Sequence, residues 1–338
     1  MFAPDYAPHT GGVEKHLQQV IPELERFGHT VNVFVRYADY LPDFQEVAGV
    51  NVWRLPADDR WAVLLPWFWK HCRTLWAADL AHSHDVYPRR LRKLMRGIPW
   101  VHTFHGYETY PLSPEAVSVR QAIRREVSRC IGIGRFIEKW YGTQLDYVSY
   151  GARTQAARSS SVKAPAYSCV FVGRLEEDTG FRAYLEGFRL IHQQVPSASL
   201  TVYGDGSLST WAHDLSRQHS LPVAWKGWKA DADRHFAEYE VAFVSGYLTL
   251  LEAAAEGTPI VAYYGNPLKH DYLACHPLNQ DIVLADSARS IAAAWQQARV
   301  LPVQDRDNMV SWAHSQTWRK LAETYLDAYA QAKRDSRL

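Results

Sequence analysis

In the first third of the chain, short apolar runs alternate with longer stretches of helical period. Val31 to Arg36, Val50 to Leu55, Leu80 to Ser83 and Trp100 to Phe104 have the length and pattern of strands. Patterns such as Val13 to Phe27, with apolar residues three and four apart, predict helices between them. This alternation predicts an α/β domain on a mainly parallel sheet. It stops at Arg153 to Ala166, RTQAARSSSVKAPA, which is small, polar and aperiodic and reads as a linker. It restarts with a strand at Ser168 to Val172, a helix at Phe181 to Gln193, a strand at Ser199 to Tyr203, a helix at Ser209 to Gln218 and a strand at Val223 to Trp225. The expected organisation is a domain over 1–152, a linker over 153–166 and a second domain over 167–313. A final helical pattern, roughly Trp312 to Lys333, carries Trp318, Leu321, Tyr325 and Tyr329 on one stripe. Only MFAP precedes Asp5, so the first strand is two or three residues long or the true chain starts upstream.

The segment Val241 to Asp271 reads as strand, glycine turn, helix, Gly-Thr-Pro turn, strand and polar loop. Gly246 permits a sharp turn, and Tyr247 to Glu256 is a good helix former stopped by Gly257 and Pro259. A helix that starts just after a strand points unpaired N–H groups and a positive dipole end beyond the strand, which favours phosphate. Glu252 falls in its second turn. Taken alone, the segment is either such a site or an ordinary crossover unit with a surface glutamate.

A chain of 338 residues with 47% hydrophobic content can fill two cores. A net charge of +1 argues against a nucleic-acid binder. The cysteines, Cys72, Cys130, Cys169 and Cys275, lie far apart, so neither a zinc site nor a disulfide framework is signalled and a reducing cytoplasm is the simplest home. There is no apolar window long enough for a membrane span and no signal-peptide pattern at the N-terminus. The chain has 13 tryptophans, and Trp61, Trp67, Trp69 and Trp76 share one short stretch with Arg60, Lys70 and Arg73. Arg89, Arg90, Arg92, Lys93 and Arg96 follow. Tryptophan with arginine and lysine is the composition of a surface seated among anionic lipid headgroups; the competing reading is a Trp-rich core helix. Arg120, Arg124, Arg125 and Arg129, nearly at helical spacing, would extend a basic face.

Several short motifs recur in one order: Gly11-Gly12, GHTVNVF, HSHD (His82 to Asp85), TFHGYE (Thr103 to Glu108), VGRLEEDTG (Val172 to Gly180), YGDGS (Tyr203 to Ser207), LLEAAAEGTPIVA and a late Trp318. Together they closely resemble family 4 glycosyltransferases over nearly the whole chain. The resemblance implies the GT-B fold, two Rossmann-like domains facing across a cleft, with a final helix, about 314–338, crossing back onto the first. It implies a retaining enzyme that takes a nucleotide sugar as substrate, needs no cofactor and binds no metal. It assigns Arg174, after Gly173, to the donor diphosphate and Glu252 to the ribose hydroxyls. It places the Gly11-Gly12 loop and the amides of Gly246, Tyr247 and Leu248 at the donor, and His105 near the transferred sugar. An Arg after a buried strand can neutralise charge on a leaving phosphate, and a carboxylate can accept from both hydroxyls of a diol. The bland reading of Arg174 is a surface residue paired with Glu176 or Asp178. His82 and His102 read as core or wall groups.

Two departures from the family pattern stand out. A second glutamate, upstream of Glu252, is usual at the donor sugar, and here the turn Ser245-Gly246-Tyr247 is too short to hold it. The usual lysine before Gly180 is replaced by Thr179. Lys269, in the loop Gly265 to Asp271, or Lys226 would then restore the charge. The expected activity is transfer of a sugar to a glycan or lipid-linked acceptor in surface polysaccharide or glycolipid assembly, by a cytoplasmic protein held on the inner membrane face by Trp61, Trp67, Trp69, Arg89, Arg90, Arg92 and Lys93. The alternatives are a non-catalytic sugar-nucleotide-binding partner subunit and a nucleotide-sugar epimerase.

Overall fold

The computed structural model describes residues 1–7, 11–153 and 164–336. Of the expected linker, only Arg153 and residues 164–166 fall among them. The chain divides into two compact units, Met1–Tyr150 with Trp318–Leu338, and Gly151–Thr317.

The first unit is built on an eight-stranded sheet. Its strands are β1 (Phe2–Ala3), β2 (Asn32–Val35), β3 (Phe44–Val47), β4 (Val50–Arg54), β5 (Ala81–His84), β6 (Trp100–Phe104), β7 (Arg129–Gly132) and β8 (Tyr147–Val148), in the spatial order β3-β4-β2-β1-β5-β6-β7-β8. All pairs are parallel except β3 with β4. That hairpin turns through Ala48 and Gly49, both at positive φ, the backbone twist that a two-residue turn requires. β3 has no counterpart in the sequence reading because FQEV lies on the sheet edge with no buried face to impose a pattern. β1 is only two residues long, yet it sits at the sheet centre, where Phe2 stacks between Phe34 and Trp100 at 5.2 and 5.1 Å.

Helices α1 (Gly12–Arg26), α2 (Trp61–Trp76), α3 (Arg89–Leu94), α4 (Pro114–Glu126) and α5 (Phe136–Tyr141) provide the connections. α1 buries Leu17, Val20, Ile21 and Leu24, one stripe at helical spacing. α2 has two apolar faces. Leu64, Phe68, His71 and Leu75 are buried, while Trp61, Leu65, Trp69 and Trp76 are exposed. Among the described residues no helix is long and apolar enough to cross a membrane.

The second unit carries β9 (Ser168–Val172), β10 (Ser199–Tyr203), β11 (Val223–Gly227), β12 (Val241–Phe243), β13 (Ile260–Tyr263) and β14 (Val283–Ala285) in the order β11-β10-β9-β12-β13-β14, all parallel. Renumbered within the unit, that order is 3-2-1-4-5-6, the doubly wound arrangement whose direction of winding reverses between the first and fourth strands. Helices α6 (Phe181–Gln194), α7 (Ser209–Gln218), α8 (Tyr247–Ala255), α9 (Pro267–Ala274), α10 (Ala288–Arg299) and α11 (Val303–Ser315) complete it. The core joins Phe171, Phe181, Tyr184, Phe188, Phe243 and Trp295.

Two sequence expectations are corrected here. The polar loop Gly265 to Asp271 is mostly helix, because Pro267 occupies the first turn of α9 and the Asn266 side chain caps it by accepting from the Lys269 N–H at 2.8 Å. The single helix from Trp312 is two, α11 and then α12 (Trp318–Asp335). Between them Gln316 leaves helical geometry, its carbonyl accepts from Arg153 N–H at 3.0 Å, and Thr317 bridges Arg153. α12 packs on α1, β6 and β7 through Trp318, Leu321 and Tyr325.

Candidate active site

In doubly wound sheets, ligands collect outside the carboxyl ends of the strands where the winding reverses. In the second unit that point lies between β9 and β12, and the loops leaving those strands carry the residues singled out in the sequence. After β9 comes Gly173, at a φ of +157°, then Arg174. Gly173 is packed against Gly204, after β10, so closely that a Cβ on Gly204 would lie 1.8 Å from the Gly173 carbonyl oxygen. Only glycine fits there, and the loop is pinned to the sheet. The Thr179 hydroxyl donates to the carbonyls of Arg174 and Glu176 at 2.8 Å each, closing the turn where a lysine was expected.

Arg174 pairs with Asp178 at 2.6 Å, and both side chains are about two-thirds exposed (67% and 66%). The surface pairing weighed in the sequence is therefore present. Such a solvated pair is worth well under ~1 kcal/mol and exchanges easily for phosphate oxygens. Glu176 is engaged elsewhere, accepting from Ser207.

After β12, Ser245 donates to the Thr179 carbonyl at 2.9 Å, so the start of α8 is tied to the arginine loop. Gly246 is the N-cap of α8, exposed and without a side-chain cap. The first helical amide is already satisfied: Tyr247 N–H donates to the Tyr272 hydroxyl at 2.8 Å. Tyr247 itself is buried and stacks on Tyr272 with centroids 3.8 Å apart. Of the turn assigned to the donor, Tyr247 is thus a packing residue, and Gly246 and half-buried Leu248 form the accessible part. Glu252 is buried at 6% exposure, not the surface glutamate of an ordinary crossover.

The two candidate replacement lysines separate. Lys226 is exposed on β11, the edge strand. Lys269 is half-buried on α9, with Nζ 4.1 Å from the centre of the Tyr272 ring. Its surroundings lower the ammonium to about 8 by removing water, while nearby Asp178 acts to raise it. Lys269 therefore shares its surroundings with Arg174 through Asp178, and with the start of α8 through Tyr272. Sequence separation hid this, and the Asn-Pro cap is the local signal that reveals the helix carrying it.

The first unit repeats the strand order. With the edge strands β3 and β8 set aside, β4-β2-β1-β5-β6-β7 is again 3-2-1-4-5-6, reversing between β1 and β5. Gly11 is the N-cap of α1, and Gly12, its first residue, has nothing within 4 Å of where a Cβ would stand. His84 ends β5 and His105 follows β6, and their Nδ1 and Nε2 are 2.9 Å apart. Asp85, at a φ of 56°, accepts from His105 N–H at 2.8 Å and fixes that backbone. His16 meets the His105 ring edge-on at 4.6 Å, bonds the Tyr325 hydroxyl at 2.7 Å and touches Trp318. His82 bridges Thr103 and Tyr329, and His102 bonds Ser83; both lie in the core, as expected. His16 was missed because one histidine on an amphipathic helix carries no local signal.

Burial lowers every one of these rings: His105 and His102 to about 3, and His16, His82 and His84 well below the usual histidine range. At neutral pH the cluster is uncharged. Neutral imidazoles suit hydrogen bonds to sugar hydroxyls, since each ring both donates and accepts. His16, His84 and His105 each bring a nitrogen within 4.8 Å of the others, the one grouping among the described residues dense enough to hold a metal ion. As they stand, two of the three are hydrogen-bonded to each other.

The residues assigned to a membrane face divide. Trp61 and Trp69 are exposed, at 40% and 63%, as is Lys93. Trp67 turns inward, donating from its indole to the Arg54 carbonyl at 3.0 Å and packing on Phe34 and His71. Arg92 also turns inward, to the Glu126 carbonyl at 2.6 Å. Arg89 pairs with Glu126 and Arg90 with Asp59. The second basic cluster does not form one face. Arg120 is buried between Glu108 and the Tyr141 ring, and Arg124 and Arg129 pair with Asp146 and Asp335.

Two α/β units on mainly parallel sheets, each with a candidate site at its switch point, are the architecture of the GT-B fold. The profile of Glycosyltransferase Family 4 matches residues 10–145, and that of Glycosyl transferases group 1 matches residues 166–299. The chain belongs to this glycosyltransferase family. It is 25% identical, over 307 aligned residues, to the glycogen synthase of Mycobacterium tuberculosis, covering 78% of this chain and 71% of that one. Among solved structures it superposes on Anabaena HepE in complex with UDP and glucose with a TM-score of 0.70 at 15% identity, covering 97% of this chain and 98% of that one. It superposes on the lipopolysaccharide outer core galactosyltransferase WaaB with a TM-score of 0.66 at 14% identity, with the same coverage, 97% and 98%.

Proposed function

We propose that this glycosyltransferase moves a hexose-type sugar, with retention, from a nucleotide sugar to a glycan or lipid-linked acceptor in surface polysaccharide or glycolipid assembly, at the inner face of the cytoplasmic membrane. The observation that carries the donor half is the tie between Ser245 and Thr179, which joins the Arg174 loop to the start of α8, with Lys269 beside the Tyr272 ring whose hydroxyl accepts from the first α8 amide. Two cations beside a helix N-terminus suit a diphosphate. Glu252 takes the ribose diol. HepE holds UDP and glucose in its crystal, so UDP-glucose is the first donor to test.

In this reading Arg174 and Lys269 stabilise the charge that develops on the leaving diphosphate. The acceptor hydroxyl approaches from the side the diphosphate vacates, and the phosphate oxygen takes its proton, so positioning does most of the catalysis. His105 is uncharged and anchored by Asp85, and it holds a hydroxyl of the transferred sugar without itself carrying the proton. Surface glycan assembly is supported by the likeness to WaaB.

The test is a thermal-shift screen of nucleotide sugars on the full chain, repeated with Arg174→Ala and Glu252→Ala. One nucleotide sugar stabilises the wild type, and each variant loses most of that stabilisation. Stabilisation retained in both variants overturns the site. The shortened turn before Tyr247 favours a second reading, a partner subunit that binds the donor without turnover. Binding with neither transfer nor hydrolysis across a panel of acceptors would establish it, and conversion of donor alone would mark an epimerase.

A further inference from the structure

A cavity of about 340 Å³ opens in the first unit beside the carboxyl ends of β2, β4 and β5. That is near the lower end of the roughly 300–1,000 Å³ typical of small-ligand pockets. Its wall is mainly apolar, with Leu55, Leu64, Val86 and Leu91, and its charged residues are Arg36, Arg90 and Asp59. Arg36 pairs with Asp5 at 2.9 Å and Arg90 with Asp59 at 2.7 Å. The arginine side chains are 60% and 40% exposed, so both pairs are solvated and easily exchanged. Leu64 reaches the cavity from α2, whose neighbouring face leaves Trp61, Leu65, Trp69 and Trp76 exposed. An apolar hole rimmed by two solvated arginine–aspartate pairs therefore adjoins a helix whose outer face is aromatic. This is the chemistry of an amphipathic anion: hydrocarbon for the wall, a phosphate for the guanidinium groups, and a membrane for the tryptophans.

We propose that this cavity receives the hydrocarbon next to the phosphate of a membrane-borne lipid acceptor, with the phosphate displacing Asp5 and Asp59 from Arg36 and Arg90. The inference rests on the reading of a lipid-linked acceptor given above and narrows it to an anionic lipid. It also gives α2 two tasks: its inner side walls the cavity and its outer side seats in the bilayer from which the lipid is drawn.

The experiment is calorimetry of the full chain with decyl phosphate below its aggregation concentration, alongside inorganic phosphate and decyl maltoside. Ala57 lines the cavity and is exposed, so Ala57→Trp fills the space without disturbing the core. Decyl phosphate binds the wild type; Ala57→Trp weakens it about tenfold or more, the double variant Arg36→Ala with Arg90→Ala does the same, and neither control ligand binds comparably. Equal affinity in wild type and Ala57→Trp overturns the proposal, as does inorganic phosphate binding as tightly as decyl phosphate. Nucleotide-sugar stabilisation is measured on the same preparations. Its persistence in Ala57→Trp shows the variant folded; its absence from the wild type would count against the donor reading alone.

Discussion

In the first unit the ends of β5 and β6 and helix α1 bring together uncharged imidazoles, His84 bonded to His105 and His16 bonded to Tyr325 of α12, while in the second the loops after β9 and β12 present an exposed Arg174–Asp178 pair beside a helix start and a buried glutamate. The six central strands of the first sheet repeat the order of the second, so the difference lies in what each fold hangs on the same switch point. Neutral, fixed rings match hydroxyl groups. Loosely paired charge matches a diphosphate, because an exposed ion pair gives up little when a better anion arrives. The comparison teaches that the chemical division of labour can be read unit by unit, from charge and burial.

Acid should break the comparison most strongly. Burial holds the folded forms of His16, His82, His84 and His102 below the ordinary histidine value, so the unfolded chain binds protons that the folded unit refuses. Their stabilising contribution is complete above a pH of about 6.5 and is lost as pH falls below it, at up to about 1.4 kcal/mol per pH unit for each ring. In the second unit only His276 is a buried histidine among the described residues. Hydrogen exchange followed from pH 7 to pH 4 should show β1, β5 and β6 losing protection before β9 and β12. The reverse order, or simultaneous loss, would mean that the imidazole cluster does not set the acid limit.

Arg174→Ala is the next largest effect. Removing a preorganised cation from the developing phosphate charge costs about 10²–10³ in kcat, read by steady-state transfer assays. Melting should shift little, since an exposed pair carries under ~1 kcal/mol. Unchanged kcat with a raised KM would make Arg174 a binding residue only. Glu252→Gln acts at the nucleotide end. Exchanging charge-assisted bonds to a diol for neutral ones weakens donor affinity roughly ten- to a hundredfold by calorimetry, and equal loss toward the 2′,3′-dideoxy nucleotide would show that the ribose is not its partner.

How far these residues were legible in the sequence depended on whether their neighbours in space were neighbours in the chain. Arg174 and Glu252 stand in short motifs next to strands of strong apolar pattern, and β9, β10 and α7 fall where periodicity places them. The edge strand β3 was not legible, because an exposed strand needs no apolar alternation. Trp67 and Arg92 were assigned to the surface by composition and are turned inward by single hydrogen bonds to Arg54 and Glu126. The imidazole cluster gathers residues from α1, β5 and β6 with α12 behind them. Only the pairing of β5 with β6, which brings residues about 20 positions apart into register, makes it a site.

Lys269 gives the smallest effect and the finest test. The missing lysine before Gly180 leaves one cation fewer than the family pattern at the diphosphate, and the geometry offers Lys269 instead of Lys226. Lys269→Met should weaken nucleotide-diphosphate binding about fivefold at pH 7, the worth of one partly solvated charge-assisted contact of about 1 kcal/mol, whereas Lys226→Met should leave it unchanged. The ammonium sits at about 8 in the free protein, so wild-type affinity should decline from pH 7 to pH 9 as the charge is lost, and the Lys269→Met curve should stay flatter over the same interval. Parallel declines in wild type and variant would remove Lys269 from the diphosphate site. The exposed half of the comparison would then rest on Arg174 and the start of α8 alone.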